Sequence, residues 1–466
     1  MMRFHNTLSR EVEELKPLSG KEIKLYTCGP TVYDYAHIGN LRSFVFDDTL
    51  RRALEYGGYE VKHVMNITDV GHLSDDADEG DDKLEKGAKR ESKTVWEVSD
   101  YYIGQFLSDM AALNILQPNG YRNEQGNYAR ATDFIDKQIE IVKILIEKGF
   151  AYTTEQAIYF DVTKLDDYGK LTGQKLADKE VGARSDVVVD DQKHHPQDFA
   201  LWFFTVGRFA DHSMVWDSPW GKGFPGWHLE CSAIIHTTLG ETIDIHTGGV
   251  DHIGTHHTNE IAQTEAAFGK KLANYWLHNE HLLVDGHKMS KSAGNYYTLK
   301  DIVDKGFKPL ALRLLFLQSH YRSQSNFNWE AMDAASILLK KLNAWADLSL
   351  QSVNSITEAD QRIILESIEQ ALATDLNTPQ ALAILNESID KSAPTNELLM
   401  ELDKVFGLQL ADREDISPEQ RDLIGQRQAV RDKQDWQAAD DLRQTLSDQG
   451  IDVSDTPDGQ VWARIS

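Results

Sequence analysis

The chain predicts an α/β protein built on a parallel sheet and followed by a second half that is almost wholly helical. Three observations carry this. Residues 23–67 read strand–turn–helix–strand, a unit of the length that returns a second strand parallel to the first through a right-handed crossover. Sheet character recurs around Gly226–Gly249 and Tyr275–Val284, and from Leu299 onward helical spacing dominates.

At 466 residues the chain exceeds a single core and predicts several domains. Its composition, 41% hydrophobic and 26% charged, is that of a soluble globular protein, with no apolar run approaching the ~18–20 residues of a membrane span. No membrane partner is expected. Two cysteines exclude a disulfide scaffold and suit a reducing, cytoplasmic setting. The net charge of −26 has the wrong sign for coating nucleic acid nonspecifically, so any RNA contact must use local basic patches.

The elements follow in order. Ile23–Thr27 is a short strand, broken by Cys28-Gly29-Pro30-Thr31. Helical spacing runs from Arg42 to Tyr56 and stops at Gly57-Gly58, and Val61–Ile67 is the second strand. The ligand site of such a sheet lies at the carboxyl ends of its strands, where Cys28, His37 and Thr68 fall. The polar stretch Gly71–Lys93 reads as a solvated loop. Helices are predicted at about 95–116 and 129–148, a hairpin at Tyr152–Val162, and an irregular insertion at Gly169–His195. Later helix starts are marked by Thr298…Asp301, Thr357…Asp360, Thr378-Pro379 and Ser417-Pro418-Glu419-Gln420, each a capping hydroxyl ahead of a carboxylate, an amide or a proline. Residues 331–410 read as a helical bundle, and the end domain closes in a turn-rich tail, Val453–Gly459.

Three stretches carry chemistry. In His246–Glu260 a strand (Thr242–Ile245) leads through a Gly-Gly turn to a helix opening near His256, which puts His256 and Glu260 on one helical face. An imidazole and a carboxylate so placed can hold two corners of a tetrahedral zinc ion, and the two thiols, Cys28 and Cys231, supply the others. The pair alone reads as a helical surface contact. It gains weight because both cysteines of the chain lie among motif residues. His37-Ile38-Gly39-Asn40 stands between a strand and a helix, where free N–H groups, close backbone approach at Gly39 and an imidazole suit a phosphate. Lys288-Met289-Ser290-Lys291-Ser292 places two lysines on a short loop with Gly294 as hinge, suited to neutralising a triphosphate.

The last two stretches together are the signature pair of class I aminoacyl-tRNA synthetases, which the chain resembles. Within that class, Cys28–Asp34, Gly226–Ala233, His256–Glu260, Asn66–Asp69, Asp217–Gly221, His320–Gln324 and Asn377–Pro379 are similar to cysteinyl-tRNA synthetase over nearly the full chain. The resemblance implies a Rossmann-type parallel-sheet catalytic domain with an inserted connective region, an all-α helical bundle and a small anticodon-binding domain. The implied divisions are 1–120 and 226–280 for the catalytic halves, 121–225 for the insertion and 281–330 for the lysine loop and stem contact. The bundle would take 331–412 and the anticodon domain 413–466.

It further implies one Zn2+ per chain on Cys28, Cys231, His256 and Glu260, binding the thiol of cysteine directly, with Thr68, Trp227 and His228 shaping the pocket. ATP, with Mg2+, would lie over His37 and Gly39, near Gly248, Gly249 and Asp251, with Trp276 and His278 lining the nucleotide side. Lys288 and Lys291 would draw its phosphates, and His37, Asn40, Lys288 and Lys291 would carry catalysis. Arg431, Trp436, Asp440 and Asp455 would read the anticodon of tRNA-Cys. The implied activity is ATP-dependent ligation of L-cysteine to that tRNA by a monomer. Zinc would select the soft thiolate, where a shape-only pocket separates cysteine from serine by only ~1–3 kcal/mol.

Four features depart from the family's pattern: Asn40 stands for a second histidine, Thr247 for a glycine, Phe203 for a lysine, and Gly71–Asp82 lengthens a loop. Three readings compete. A cysteine ligase acting on an amino sugar, of the mycothiol type, would lack residues 413–466. A silent tRNA- or nucleotide-binding paralogue would not need Lys291 and four metal ligands, and a structural zinc protein would leave His37 and the lysine loop without a task.

Overall fold

The computed structural model describes residues 1–70, 73, 82–173, 190–389, 392–456 and 459–465. They form two compact units: Met1–Leu283 with Lys288–Leu299 and Tyr321–Ser325, and Val284–His287 with Lys300–His320 and Asn326–Ser466.

The first unit is built on a five-stranded sheet. Its strands are β1 (Glu22–Thr27), β2 (Glu60–Ile67), β3 (Ala129–Arg130), β4 (Ile243–Gly249) and β5 (Ala273–Asn279), in the spatial order β5-β4-β1-β2-β3. Every neighbouring pair is parallel, as the strand–helix–strand unit predicts. Helix α1 (Ile38–Tyr56) connects β1 to β2 on one side, while β4 enters on the other side of β1. The chain thus reverses direction of winding at β1, and the crevice that α/β sheets use for ligands opens at the carboxyl ends of β1 and β4. Behind β4, helix α2 (Trp227–Thr238) and helix α3 (His256–Phe268) pack into one apolar core with Tyr26, Trp202 and Trp276.

Several elements differ from expectation, each for a tertiary reason. Helix α1 starts four residues before Arg42 because His37 and Asn40 close a reciprocal capping box. Part of the predicted second helix is instead β3: Ala129 and Arg130 pair with Asn66 and Ile67, and helix resumes only at Ile135–Glu147. Sheet character around Gly226 gives way to α2 up to Thr238. Gly248 and Gly249 are the last residues of β4 rather than a turn. A Cβ on Gly248 would stand 2.6 Å from His252 Nδ1 and 2.7 Å from His257 Cε1, so side-chain crowding, not chain reversal, demands glycine there.

Within the polar stretch, Asp82 caps a helix at Lys83–Glu91, accepting from the N–H groups of Leu84 and Glu85, and Leu84 is buried. Residues 71, 72 and 74–81, like 174–189 of the second insertion, lie outside the described residues. The hairpin at Ala151–Thr153 and Ala157–Phe160 forms as predicted and continues into an antiparallel sheet with Phe199–Phe204, Gly221–Pro225 and Trp216–Ser218. Phe203 is a core residue of that sheet, stacked on Phe224 at 5.1 Å.

The second unit is mainly helical. Thr357 and Ser417 cap their helices as the sequence predicts, the latter in a full capping box with Gln420. Of the tail predicted as turn-rich, residues 453–456 and 459 are strand, and 457 and 458 lie outside the described residues. Ile451–Thr456 and Gly459–Arg464 form an antiparallel hairpin, driven by burial of Val453 and Trp462. The hairpin is tied to the bundle by Gln351, which donates to Trp462 O at 2.8 Å and accepts from Trp462 N at 2.9 Å.

Candidate functional site

Cys28 directly follows β1, and Cys231 lies in the second turn of α2. His256 and Glu260 open α3, one turn apart on its inner face. One ligand atom from each of these residues can be chosen so that all lie within 4.8 Å of one another. His246, on β4, and His257 stand beside them and form an overlapping set with Cys28 and Glu260. Glu260, His246 and His257 are fully buried, and Cys231 and His256 nearly so.

Each donor is held by a neighbour. His246 Nε2 meets Glu260 Oε2 at 2.9 Å, and the His246 ring stacks on Trp276 at 4.6 Å. His228 Nδ1 and His256 Nδ1 are 3.0 Å apart, which turns His256 Nε2 toward Cys231 Sγ, 3.5 Å away. Trp227 stacks on the His256 ring at 4.1 Å. A chain of contacts runs from Thr7 Oγ1 to His278 Nδ1 (2.8 Å), from His278 Nε2 to His257 Nδ1 (2.7 Å), and from His257 Nε2 to Cys28 Sγ (3.3 Å). Thr68 donates to Glu230 Oε2 at 2.8 Å.

The electrostatics suit a cation. Burial alone would raise the Cys231 thiol, but the hydrogen bond with Cys28 and the charge of His256 bring it down to about 6. Burial, then Cys231, pushes the Cys28 thiol up. His256 is raised to about 10: burial opposes its charge, and the Glu260 carboxylate and Cys231 overcome it. Burial likewise opposes Glu260, which His246 and His256 hold far below the usual carboxylate range. Glu260 Oε1 is buried and makes no hydrogen bond among the described residues, although His256 Nε2 lies 2.9 Å away. Two sulfurs, an imidazole nitrogen and a carboxylate oxygen converging in a buried pocket fit a tetrahedral, thiophilic metal ion. The Nε2 atoms of His246 and His257 meet Glu260 Oε2 and Cys28 Sγ, so these rings fit the role of orienting groups behind the donors.

His37 is the N-cap of α1. Its Nδ1 accepts from Asn40 N at 3.1 Å, and Asn40 Oδ1 accepts from His37 N at 3.2 Å. Burial lowers the His37 pKa, with Asp251 acting against it. Gly39 is required by contact, because a Cβ would stand 2.9 Å from His37 Cε1. On the lysine loop, Lys288 is exposed, whereas Lys291 forms an ion pair with Asp34 and lies 5.0 Å over the Tyr296 ring. The edge of His37 meets the same ring at 5.2 Å. The structure therefore gathers His37 and Lys291 around Tyr296, a residue the sequence reading did not single out. Asp251 sits on a short helical turn after β4, its Oδ1 2.3 Å from the position of a Cβ on Gly249. Trp276 and His278, expected on the nucleotide side, are buried on β5 against His246 and His257.

Far along the chain, in the second unit, Arg431 Nη1 pairs with Asp455 Oδ2 at 3.0 Å and its guanidinium lies 5.5 Å over the Trp436 ring. Trp436 is 57% exposed, and Asp440 is exposed one turn further along the same helix. Arg427, missed in the sequence, donates to both Asp455 oxygens, to Oδ1 at 2.9 Å and to Oδ2 at 3.1 Å, and is buried. Its i, i+4 spacing from Arg431 is the signal that could have found it.

Comparison with known proteins shows the family of the chain. Residues 14–337 match the tRNA synthetases class I (C) catalytic domain, and residues 413–462 match the Cysteinyl-tRNA ligase anticodon binding domain. A curated cysteine–tRNA ligase of Treponema denticola is 41% identical, covering 100% of this chain and 100% of its own length. Cysteine–tRNA ligase 1 of Burkholderia lata is 43% identical, over 98% of this chain and 96% of its own. The chain belongs to the cysteine–tRNA ligase family.

Its fold is that of the class I synthetases more widely. Mycobacterium tuberculosis methionyl-tRNA synthetase with methionyl-adenylate superposes with a TM-score of 0.55 at 14% identity, covering 88% of this chain and 84% of that one. The Agrobacterium radiobacter LeuRS in its ternary complex gives 0.56 at 12% identity, over 85% and 84%. For a cysteine–tRNA ligase family member, His246 and His257 are the notable omissions from the sequence reading. Neither lies at metal-ligand spacing from Cys28 or Cys231, and only the fold brings β4 beside α3. Among the described residues no helix is long and apolar enough to cross a membrane.

Proposed function

We propose that this chain activates L-cysteine with ATP and transfers it to the 3′ end of tRNA-Cys. The observation that carries the reading is the buried meeting of Cys28, Cys231, His256 and Glu260 at the ligand edge of a class I sheet. One Zn2+ held by these four would bind the substrate's thiol as thiolate, a choice that serine's hydroxyl does not offer at neutral pH.

In the first step a carboxylate oxygen of cysteine attacks the α-phosphorus of ATP, and the bond to pyrophosphate breaks. In the second, a ribose hydroxyl of the tRNA attacks the carbonyl carbon, AMP leaves, and the hydroxyl proton passes to solvent. Catalysis here is mostly positioning and charge stabilisation. His37 contributes as a neutral donor: its Nδ1 is taken by Asn40 N–H, so the ring proton resides on Nε2 and points away from the helix end. Lys291 exchanges the Asp34 carboxylate for the phosphates of ATP, with Lys288 beside it. Gly39, Gly248, Gly249 and Asp251 complete the bed for ATP with Mg2+, and Trp276 and His278 back it. Thr68, Trp227 and His228 shape the amino-acid pocket.

Arg431, Trp436, Asp440 and Asp455 form the anticodon-reading surface, within an end domain at 413–466. The match of 413–462 to an anticodon-binding family supports tRNA over an amino sugar as acceptor. We assign the protein to the cytoplasm and to a monomeric state, with catalytic halves at 1–120 and 226–280, a connective insertion at 121–225, a lysine-loop region at 281–330 and a bundle at 331–412.

Cysteine-dependent ATP–pyrophosphate exchange, with serine as control, followed by tRNA-Cys charging, tests the reading. Exchange and charging with cysteine alone is the expected result. Exchange without charging overturns the tRNA assignment, and no exchange overturns the activity.

A further inference from the structure

A line of hydrogen bonds joins the two segments that carry the thiols. Gly29 N–H donates to Asn66 Oδ1 at 2.8 Å, Asn66 Nδ2 donates to Thr68 Oγ1 at 3.1 Å, and Thr68 Oγ1 donates to Glu230 Oε2 at 2.8 Å. Gly29 neighbours Cys28 and Glu230 neighbours Cys231. The approach at Gly29 is closed to any side chain, since a Cβ there would stand 1.8 Å from Asn66 O. Asn66, Thr68 and Glu230 are all nearly or fully buried.

Elementary chemistry sets the direction of the first two bonds, and in the third Thr68 Oγ1 donates to Glu230 Oε2. A backbone N–H can only donate, so Gly29 fixes the oxygen end of the Asn66 amide and leaves its NH2 facing Thr68. The amide NH2 in turn can only donate, so the Thr68 oxygen accepts from it. A threonine hydroxyl has one proton and two lone pairs; the proton goes to Glu230, one lone pair is used, and a single lone pair remains. Thr68 thereby meets a ligand as an acceptor only.

We propose that Glu230 is a positioning residue: by taking the Thr68 proton it makes Thr68 an acceptor for the α-ammonium of cysteine, and so decides which way round the amino acid sits. This rests on the reading that the pocket takes cysteine. An amino acid anchored by its thiol can turn either its ammonium or its carboxylate toward Thr68. A bare lone pair attracts the first and repels the second, leaving the carboxylate for the nucleotide. Without Glu230 the hydroxyl is free to rotate and donate to the carboxylate, and the preference is lost.

The test compares Glu230→Met, which keeps length and removes the acceptor, with Glu230→Gln, which keeps an accepting oxygen. Cysteine-dependent pyrophosphate exchange, zinc content and inhibition by 3-mercaptopropionate, which has the thiol and carboxylate but no amine, are measured for each. Glu230→Met is expected to raise the KM for cysteine about tenfold or more, the loss of a hydrogen bond to a charged group. The KM for ATP, the zinc content and the 3-mercaptopropionate inhibition constant should stay within about threefold of native, and Glu230→Gln should recover most of the loss. Thr68→Val, which removes the acceptor itself, should reproduce the same split and stand in if Glu230→Met does not fold. Equal defects in the Met and Gln variants overturn the proposal, as does weaker 3-mercaptopropionate binding in step with cysteine or loss of zinc. If Thr68→Val leaves the cysteine KM at its native value, or native protein shows no cysteine-dependent exchange, the reading of the pocket itself has failed.

Discussion

The two constellations that matter to this chain differ in how they are held. The cluster around Glu260 is buried, and three of its imidazoles are each backed by another ring: Trp227 behind His256, Trp276 behind His246, His278 behind His257. The Arg431–Trp436–Asp455 group stands in water, with Trp436 more than half exposed and only Arg427 buried beneath it. A charge in the first region has nowhere to go if a partner is removed, whereas in the second, solvent replaces the lost contact. Damage should therefore be steep in one and shallow in the other.

Predictions that would break or sharpen this contrast run from large to small. Cys231→Ser should cut bound zinc and raise the KM for cysteine, each by more than about 100-fold, because a ligand rather than an orienting group is lost. Native values for both, by metal analysis and pyrophosphate exchange, would discard the metal assignment. His246→Ala leaves the four donors in place and removes the group that aims Glu260, so metal affinity should fall by ~10–100-fold. An unchanged affinity would make His246 a packing residue. Trp436→Ala should lower kcat/KM for tRNA charging by about tenfold while leaving pyrophosphate exchange at its native rate. A fall in exchange would deny the separation of the two regions' tasks.

Acid separates the regions again. His63, bonded to Thr27 Oγ1 at 2.9 Å beneath the thiol-bearing loop, has its pKa lowered to about 3, chiefly by burial and then by Arg51. The unfolded chain, with a histidine pKa near ~6.5, binds a proton that the folded chain refuses between those values. Stability from this group is thus full above about pH 6.5 and falls by ~1.4 kcal/mol per unit as pH drops toward 3. Asp455 is also lowered, by its hydrogen bond with Arg427, but as an exposed carboxylate it affects stability only below pH ~4. Denaturant unfolding from pH 7 to 4 should show a slope in the native protein that His63→Gln makes shallower by ~1.4 kcal/mol per pH unit and Asp455→Asn does not. Identical slopes in all three would remove His63 as a contributor.

Much of the site was readable before any coordinates, because it uses rare residue types at fixed spacings. Two cysteines in a long chain and an i, i+4 His–Glu pair leave few alternatives, and a lysine pair after a strand stands out in an acidic protein. What escaped was whatever depends on how the folded chain packs. Gly248 and Gly249 read as a turn, since even near neighbours in sequence do not show that side chains of the following helical turns, His252 and His257 for Gly248 and Asp251 for Gly249, would collide with a Cβ. Ala129–Arg130 read as helix, since its pairing with Asn66–Ile67 is a long-range contact. Tyr296 gave no signal, and Arg427 and Glu230 showed only their place beside residues already singled out, because an ordinary Tyr, Arg or Glu acquires meaning only from what it touches.

By itself, then, the order of residues determined the fold class, the strand–helix–strand unit, the helix caps and the identity of four candidate metal donors, all of which follow from local periodicity and side-chain chemistry. Tertiary structure alone decided that β4 lies beside β1 and α3, that the imidazole of His246 backs Glu260, and that Thr68 gives its proton to Glu230. The reason is physical: burial removes water as a competing partner, so which polar groups meet, and in which direction each bond runs, is settled only when the chain closes around them.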